Sequence, residues 1–157
     1  MISYRKAIIE DCDTLAIIRM DNLSKYKKTE SDEDWEALHN SVKHYFKSGI
    51  ENGTLITWLA CDGDEIVATS GLTFFMVTPS TTNITGKQGY ITNMYTYPAY
   101  RRRGIGRKLL ELTVEDAIIQ GCGRMVLYKT GMAERMYGSY GFEDASGYMT
   151  YCPSDEL

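Results

Sequence analysis

Tyr90-Ile91-Thr92-Asn93-Met94-Tyr95-Thr96-Tyr97-Pro98-Ala99-Tyr100-Arg101-Arg102-Arg103-Gly104-Ile105-Gly106-Arg107-Lys108-Leu109-Leu110 is the stretch whose reading decides the fold. Tyr90 to Tyr97 is β-branched and aromatic, which suits a strand. Pro98 ends it, because proline has no N–H for the ladder. Gly104 and Gly106 allow a sharp turn and a close backbone approach. Beyond them, Ile105, Leu109, Leu112 and Ile119 are expected on one buried helical face.

This order of strand, basic glycine-rich loop and helix makes an anion site. The first N–H groups of a helix have no partner inside it and carry partial positive charge, about half a unit. Arg101, Arg102, Arg103, Arg107 and Lys108 crowd the same turn. A diphosphate suits that arrangement. A P-loop would need Gly-Lys-Ser or Gly-Lys-Thr, and neither occurs. The dinucleotide fingerprint would need a third glycine where Leu109 stands.

A second piece reads Ala133-Glu134-Arg135-Met136-Tyr137-Gly138-Ser139-Tyr140-Gly141-Phe142. Together the two pieces resemble the GCN5-related N-acetyltransferases (the GNAT family). Their core motif is Arg/Gln-x-x-Gly-x-Gly/Ala, here Arg101 to Gly106, and their later helix commonly reads Ala-x-x-Leu-Tyr-x-x-x-Gly-Phe. The resemblance runs from about Gly89 to Phe142. It implies a mixed α/β fold, an acyl-CoA N-acyltransferase core with a mostly antiparallel sheet and helices on both faces. In that fold the central strand and the next one splay apart around acetyl-CoA.

The resemblance also implies roles. Main-chain N–H groups from Arg102 through Gly104, Ile105 and Gly106 to Arg107 bind the pyrophosphate. The side chains of Arg101, Arg102 and Arg103 lie in solvent or meet the 3'-phosphate. Met94, Tyr95 and Thr96 offer main-chain groups to the pantetheine arm, and one of their N–H groups polarises the thioester carbonyl. Tyr137 matches the tyrosine that often protonates the departing thiolate. Thr130 stands where many members have an Asn that contacts pantetheine. Asn93 stands where some members keep a carboxylate base, so the base is unassigned.

The rest of the chain is read as one domain over residues 1–157. The net charge is −4, and 43% of the 157 residues are hydrophobic, as in a soluble globular protein. The start has no signal-peptide core and no stretch is long enough for a membrane span, so a cytoplasmic location and no membrane partner are expected. Cys12, Cys61, Cys122 and Cys152 are scattered and read as reduced thiols. His39 and His44 are five apart, which does not suit a shared metal, and no metal is expected. Asn22, Asn52 and Asn83 begin sequons that have no meaning without secretion.

In chain order, Ile2 to Ile8 reads as a strand. A helix follows through about Lys25, capped by Asp11 or Asp13, with Leu15, Ile18 and Leu23 inward. Lys25 to Asp34 is a polar loop that ends at a cap on Ser31 or Asp32. Trp35, Leu38, Val42, Tyr45 and Phe46 mark the next amphipathic helix, ending near Gly49 to Gly53. Thr54–Cys61 and Glu65–Val77 are strands joined by an Asp62-Gly63 hairpin. Pro79 to Gln88 is a loop expected to border the acceptor site. Gly121 to Gly123 ends the later helix, Arg124 to Tyr128 is a strand, Ala133 to Tyr140 a short helix, and the tail holds strands around Tyr148 to Tyr151.

The function expected is acetyl-CoA-dependent transfer of an acetyl group to a primary amine of a small molecule, directly in a ternary complex. The alternative is a non-catalytic CoA-binding sensor or protein-interaction module, which suits the missing carboxylate. Nucleic acid is not an expected partner, because the net charge is negative and no aromatic-basic surface pattern occurs. Exposed edge strands in the tail are compatible with a homodimer.

Overall fold

The computed structural model describes residues 1–24, 31–145 and 149. Strand β1 (Ile2–Lys6) leads through a 3-10 turn (Ile9–Asp11) into helix α1 (Cys12–Leu23), then α2 (Asp32–Glu51). Next come β2 (Leu55–Asp62), β3 (Glu65–Met76) and β4 (Lys87–Thr96). A 3-10 turn at Pro98–Tyr100 precedes α3 (Ile105–Ile119), β5 (Arg124–Leu127) and α4 (Glu134–Tyr140). The five strands lie in chain order in one sheet. β1 to β4 pair antiparallel, and β5 joins β4 in parallel. The sequence-based expectations for Lys25 to Glu30, for the tail strands around Tyr148 to Tyr151 and for Cys152 fall outside the described residues.

Helices α1 and α2 cover one face. Leu15, Ile18 and Phe46 meet Leu55, Leu59 and Cys61 there. The other face carries α3, whose Ile105 and Leu109 pack on Ala60, Val67 and Ala68. Leu110 and Val114 join Leu72, Ile91 and Tyr137 of α4 in a neighbouring cluster. Burying such side chains contributes about 1.5–3 kcal/mol each, so both faces are held by ordinary apolar packing.

Strand β4 carries one residue more than β3 opposite it. Gly71 pairs with Thr92 and Thr69 with Tyr95, so two steps on β3 span three on β4. Asn93 takes up the difference at φ 52°, a left-handed conformation that asparagine tolerates better than most residues. The bulge changes the alternation of faces. Ile91 and Met94, three apart, both pack in the α3-side cluster. Tyr95 and Tyr97 pack against α1 and α2.

Two expectations are corrected. The buried stripe of α3 is Ile105, Leu109, Leu110, Thr113, Val114, Asp116 and Ala117, whereas Leu112 is half-buried and Ile119 is exposed. The cause is polar. Thr113 shares a hydrogen bond with Ser70 at 2.7 Å, and Asp116 accepts from Lys6 Nζ at 2.8 Å and Trp58 Nε1 at 2.7 Å. Inward polar residues therefore turn the helix away from its apolar pattern. Asp11 does precede α1, but its side chain does not cap it. It accepts two bonds from Arg5, at 2.7 and 2.8 Å, and one from the Ile8 N–H at 2.8 Å. The Arg5 guanidinium, chiefly, holds its carboxyl below the usual range.

Other expectations are met. Ser31 caps α2 by accepting from Asp34 N–H at 3.1 Å. Of the expected α2 face only Phe46 is fully buried; Trp35 and Val42 are half-buried, and Leu38 and Tyr45 are exposed. Cys12 and Cys61 are buried free thiols and Cys122 is partly buried. The Asn83 sequon is buried, with the side-chain amide donating to Lys87 O at 3.2 Å.

Candidate active site

Strand β5 runs beside β4 for only four residue pairs, from Gln88–Arg124 to Ile91–Leu127. Beyond Ile91, residues Thr92 to Thr96 of β4 have no strand partner on that side among the described residues. The two strands part just where the bulge sits, and the freed length of β4 carries Met94, Tyr95 and Thr96. All three side chains are half-buried. Thr69 Oγ1 donates to the Asn93 carbonyl at 2.7 Å and so pins the bulge from the neighbouring strand.

Thr96 leads through the Pro98–Tyr100 turn into the basic loop. Arg102 and Gly104 are both left-handed, at φ 63° and 79°. Left-handed residues interleaved in a turn aim successive N–H groups into one concavity, an anion nest. Gly104 is also the N-cap of α3 and offers no side chain to the orphan N–H groups of Ile105, Gly106 and Arg107. A methyl group added at Gly106 would stand 3.6 Å from Met136 Sδ, an ordinary contact. Gly106 is therefore not demanded by packing within the chain, and a side chain there would fit between Met136 and Thr96.

The arginines do different things. Arg101 donates from Nε to Thr96 O at 2.9 Å and lies over the Tyr95 ring. Arg103 lies over Tyr100. Arg107 bonds Glu111 at 3.3 Å and Ser139 at 3.2 Å. Lys108 also reaches Glu111. The Arg102 side chain makes no hydrogen bond or ion pair among the described residues. The backbone thus forms the nest, and most of the cationic side chains brace it.

Tyr137 sits on α4, 6% exposed, in the cluster against which Met94 packs. Its ring meets Phe142 edge-on at 6.1 Å. Burial pushes the phenol above its ordinary value of about 10, so it stays a proton donor at neutral pH. Its hydroxyl makes no hydrogen bond among the described residues. Thr130 is exposed, and its carbonyl accepts from Ala133 and Glu134 N–H at 2.9 and 3.0 Å, which sets the entry to α4.

Tyr137 also lines an open cavity of about 1150 Å³. The cavity spreads over β5 and the ends of β3 and β4, and the loop after β3 borders it through Val77, Thr78, Ser80 and Asn83. Lys129, at its rim, bonds Glu134 at 2.7 Å and Asp144 at 2.6 Å, and both acids raise its pKa. Sequence reasoning missed Thr69, Gln88 and Arg124. The one available signal was an arginine opening a strand that is otherwise apolar.

A mixed sheet that opens beside a phosphate-type nest is the architecture of acyl-CoA N-acyltransferases. The chain belongs to the acetyltransferase (GNAT) family, whose profile matches residues 15–142. A predicted acetyltransferase from Clostridium acetobutylicum, solved with acetyl-CoA, is 32% identical, with a TM-score of 0.87 over 97% of this chain and 96% of that one. A GCN5-related N-acetyltransferase from Ralstonia eutropha JMP134 shares the fold at 21% identity and TM-score 0.84, over 97% and 99% of the two chains. Glucosamine-6-phosphate N-acetyltransferase from Arabidopsis thaliana shares the fold at 18% identity and TM-score 0.65, over 97% and 98%. No curated protein matches the chain. Among the described residues no cluster of metal-ligating side chains occurs, and no helix is long and apolar enough to cross a membrane.

Proposed function

We propose that this protein transfers the acetyl group of acetyl-CoA to a primary amine of a small molecule, directly and in a ternary complex, in the cytoplasm. One observation carries the reading. β4 leaves its parallel partner after Ile91, and the freed length runs straight into the nest at Arg102 to Arg107.

In this reading the N–H groups of Arg102 to Arg107 take the pyrophosphate, with Gly104 shaping the turn and Gly106 giving room. Met94, Tyr95 and Thr96 offer main-chain groups to the pantetheine arm. One of their N–H groups steadies the negative charge on the carbonyl oxygen as the amine attacks. Thr130, in the connector after β5, would offer its hydroxyl to the same arm. The amine nitrogen gains the acetyl carbon, the C–S bond breaks, and the proton of the amine passes to water. Tyr137 supplies a proton to the departing thiolate, its raised pKa keeping it protonated until then. A local basic loop on a chain of net charge −4 favours a small polyanion over a nucleic acid.

The test follows CoA release with a thiol reagent, across amino acids, polyamines, aminoglycosides and short peptides, for wild type and Tyr137→Phe. Turnover that falls in Tyr137→Phe while acetyl-CoA still raises the melting temperature supports the reading. No stabilisation at saturating acetyl-CoA refutes it.

A further inference from the structure

The cavity beside Tyr137 is electrically polarised along β5. At the end where β4 and β5 part, Lys129 is held between Glu134 and Asp144, and Glu143 also lines the cavity. Three carboxylates against one ammonium leave that end net negative. Arg124 lines the opposite end, at the start of β5. It stands five residues before Lys129 and three before Leu127, the last paired residue of β5. At about 3.3 Å per residue that is roughly 10 Å from the parting point.

Arg124 makes no hydrogen bond or ion pair among the described residues. Its register partner on β4 is Gln88. Gln88 is only 7% exposed, lines the same cavity, and its amide likewise has no hydrogen bond among the described residues. A half-buried guanidinium beside an unengaged amide that opens on the cavity supplies a planar fork and a further donor, the donor set that a carboxylate or phosphate accepts. Between the two ends the walls are apolar, with Phe75, Tyr90 and Val126.

We propose that the acceptor is an amine with an oxyanion at its far end. The oxyanion is held by Arg124 and Gln88 at the closed end of the β4–β5 pairing. The amine lies at the acidic end, beside the gap where the strands separate. This rests on the acyl-transfer reading above and adds the acceptor's class to it. The three acids draw an ammonium toward Tyr137. Arg124 rejects acceptors that would leave its charge unpaired in an apolar cavity. The apolar walls suit a methylene or aromatic spacer of about 10 Å, matching the strand length between the two ends.

The experiment uses ω-amino carboxylates of graded chain length, each against its own primary amide, with aminoalkyl phosphates as a second arm. In the wild type the carboxylate of the best length is expected to exceed its amide in kcat/KM by roughly 10- to 100-fold, the range for a lost charged hydrogen bond. Arg124→Gln should bring that ratio to about one, and Arg124→Lys should fall between. Stabilisation by acetyl-CoA verifies that each variant is folded. Preference for the phosphates would assign the oxyanion to a phosphate ester, and preference for carboxylates to an acid; either supports the pocket. Amides used as well as carboxylates and phosphates by the wild type, or a ratio that survives Arg124→Gln, overturns it. If CoA is released with no acceptor at all, acetyl transfer itself fails. The pocket is then decided by equilibrium binding of the same probes to CoA-saturated protein, where equal affinity in wild type and Arg124→Gln, or no binding, overturns it.

Discussion

Arg101 closes the turn it belongs to: its Nε donates to the carbonyl of Thr96 at 2.9 Å, and its guanidinium lies 5.9 Å from the centre of the Tyr95 ring. The most recognisable arginine of the basic loop is thus a brace across the strand end. Arg101→Lys keeps the charge but loses the Nε–H and the planar stack. It is expected to raise the KM for acetyl-CoA about 10-fold, in line with a charged hydrogen bond of about 1.5–3 kcal/mol. Full affinity in the lysine variant would show that charge, and not the brace, is what matters.

The two loop glycines should respond differently. Gly104→Ala forces a side chain into φ 79°, at about 1–2 kcal/mol, so both melting temperature and acetyl-CoA affinity should fall. Gly106→Ala meets nothing closer than 3.6 Å and should leave the melting temperature nearly unchanged. A loss of acetyl-CoA affinity in Gly106→Ala alone would then report contact with the ligand. Calorimetry and ligand-induced thermal shift separate the two effects.

Tyr137→Phe removes a hydroxyl that has no hydrogen bond among the described residues, so the fold should tolerate it. The expected loss is about 100-fold in kcat with little change in the KM for acetyl-CoA. Burial raises the phenol, so any decline in wild-type kcat caused by its ionisation should appear only above about pH 10. A decline near pH 8 would have to come from another group.

Asp11 provides a test of stability against pH. Its folded pKa is depressed, so its contribution is complete above the unfolded value of about 3.9 and is lost as pH falls through the lower folded value. Asp11→Asn should therefore lower stability at pH 7 by about 1–2 kcal/mol, discounted because Arg5 is half-exposed. The difference between wild type and variant should close as the pH falls below the lowered folded value. Denaturant melts across that range measure it.

Much of this architecture could be read from local chemistry. A proline, two glycines and an apolar helix marked the β4-to-α3 turn, Asp62-Gly63 the hairpin, and Ser31 the cap of α2. What escaped were cases where a polar side chain faces inward. Thr113 and Asp116 took the buried positions of α3, which left Ile118 and Ile119 in solvent. Asp11 turned to Arg5 instead of to the helix behind it. In each case the partner is a strand distant in sequence or a side chain across a turn, and periodicity carries no record of it. The strand at Tyr90 was legible, but its bulge was signalled only by an asparagine among β-formers.

Thr69→Val tests that bulge at constant volume. The Asn93 carbonyl would lose its 2.7 Å bond, with an expected cost of about 1 kcal/mol. The kcat should fall more than the acetyl-CoA affinity, because the bulge adjoins the parting of the strands while the nest lies further along. An unchanged kcat would separate the bulge from the chemistry.

The bulge is also a spatial reading frame. Along a strand, which side each residue reports to is fixed by counting, and Asn93 inserts one extra count. Straightening the strand with Asn93 kept in line would act as a frameshift written in three dimensions. The following side chains would come out on the opposite side, with Tyr95 and Tyr97 turned into the core beneath α3 and Met94 turned out of it. Another residue at ease at φ 52°, such as glycine or aspartate, could stand in for Asn93. A β-branched residue could not, so at this point the backbone freedom of one residue decides the facing of those that follow.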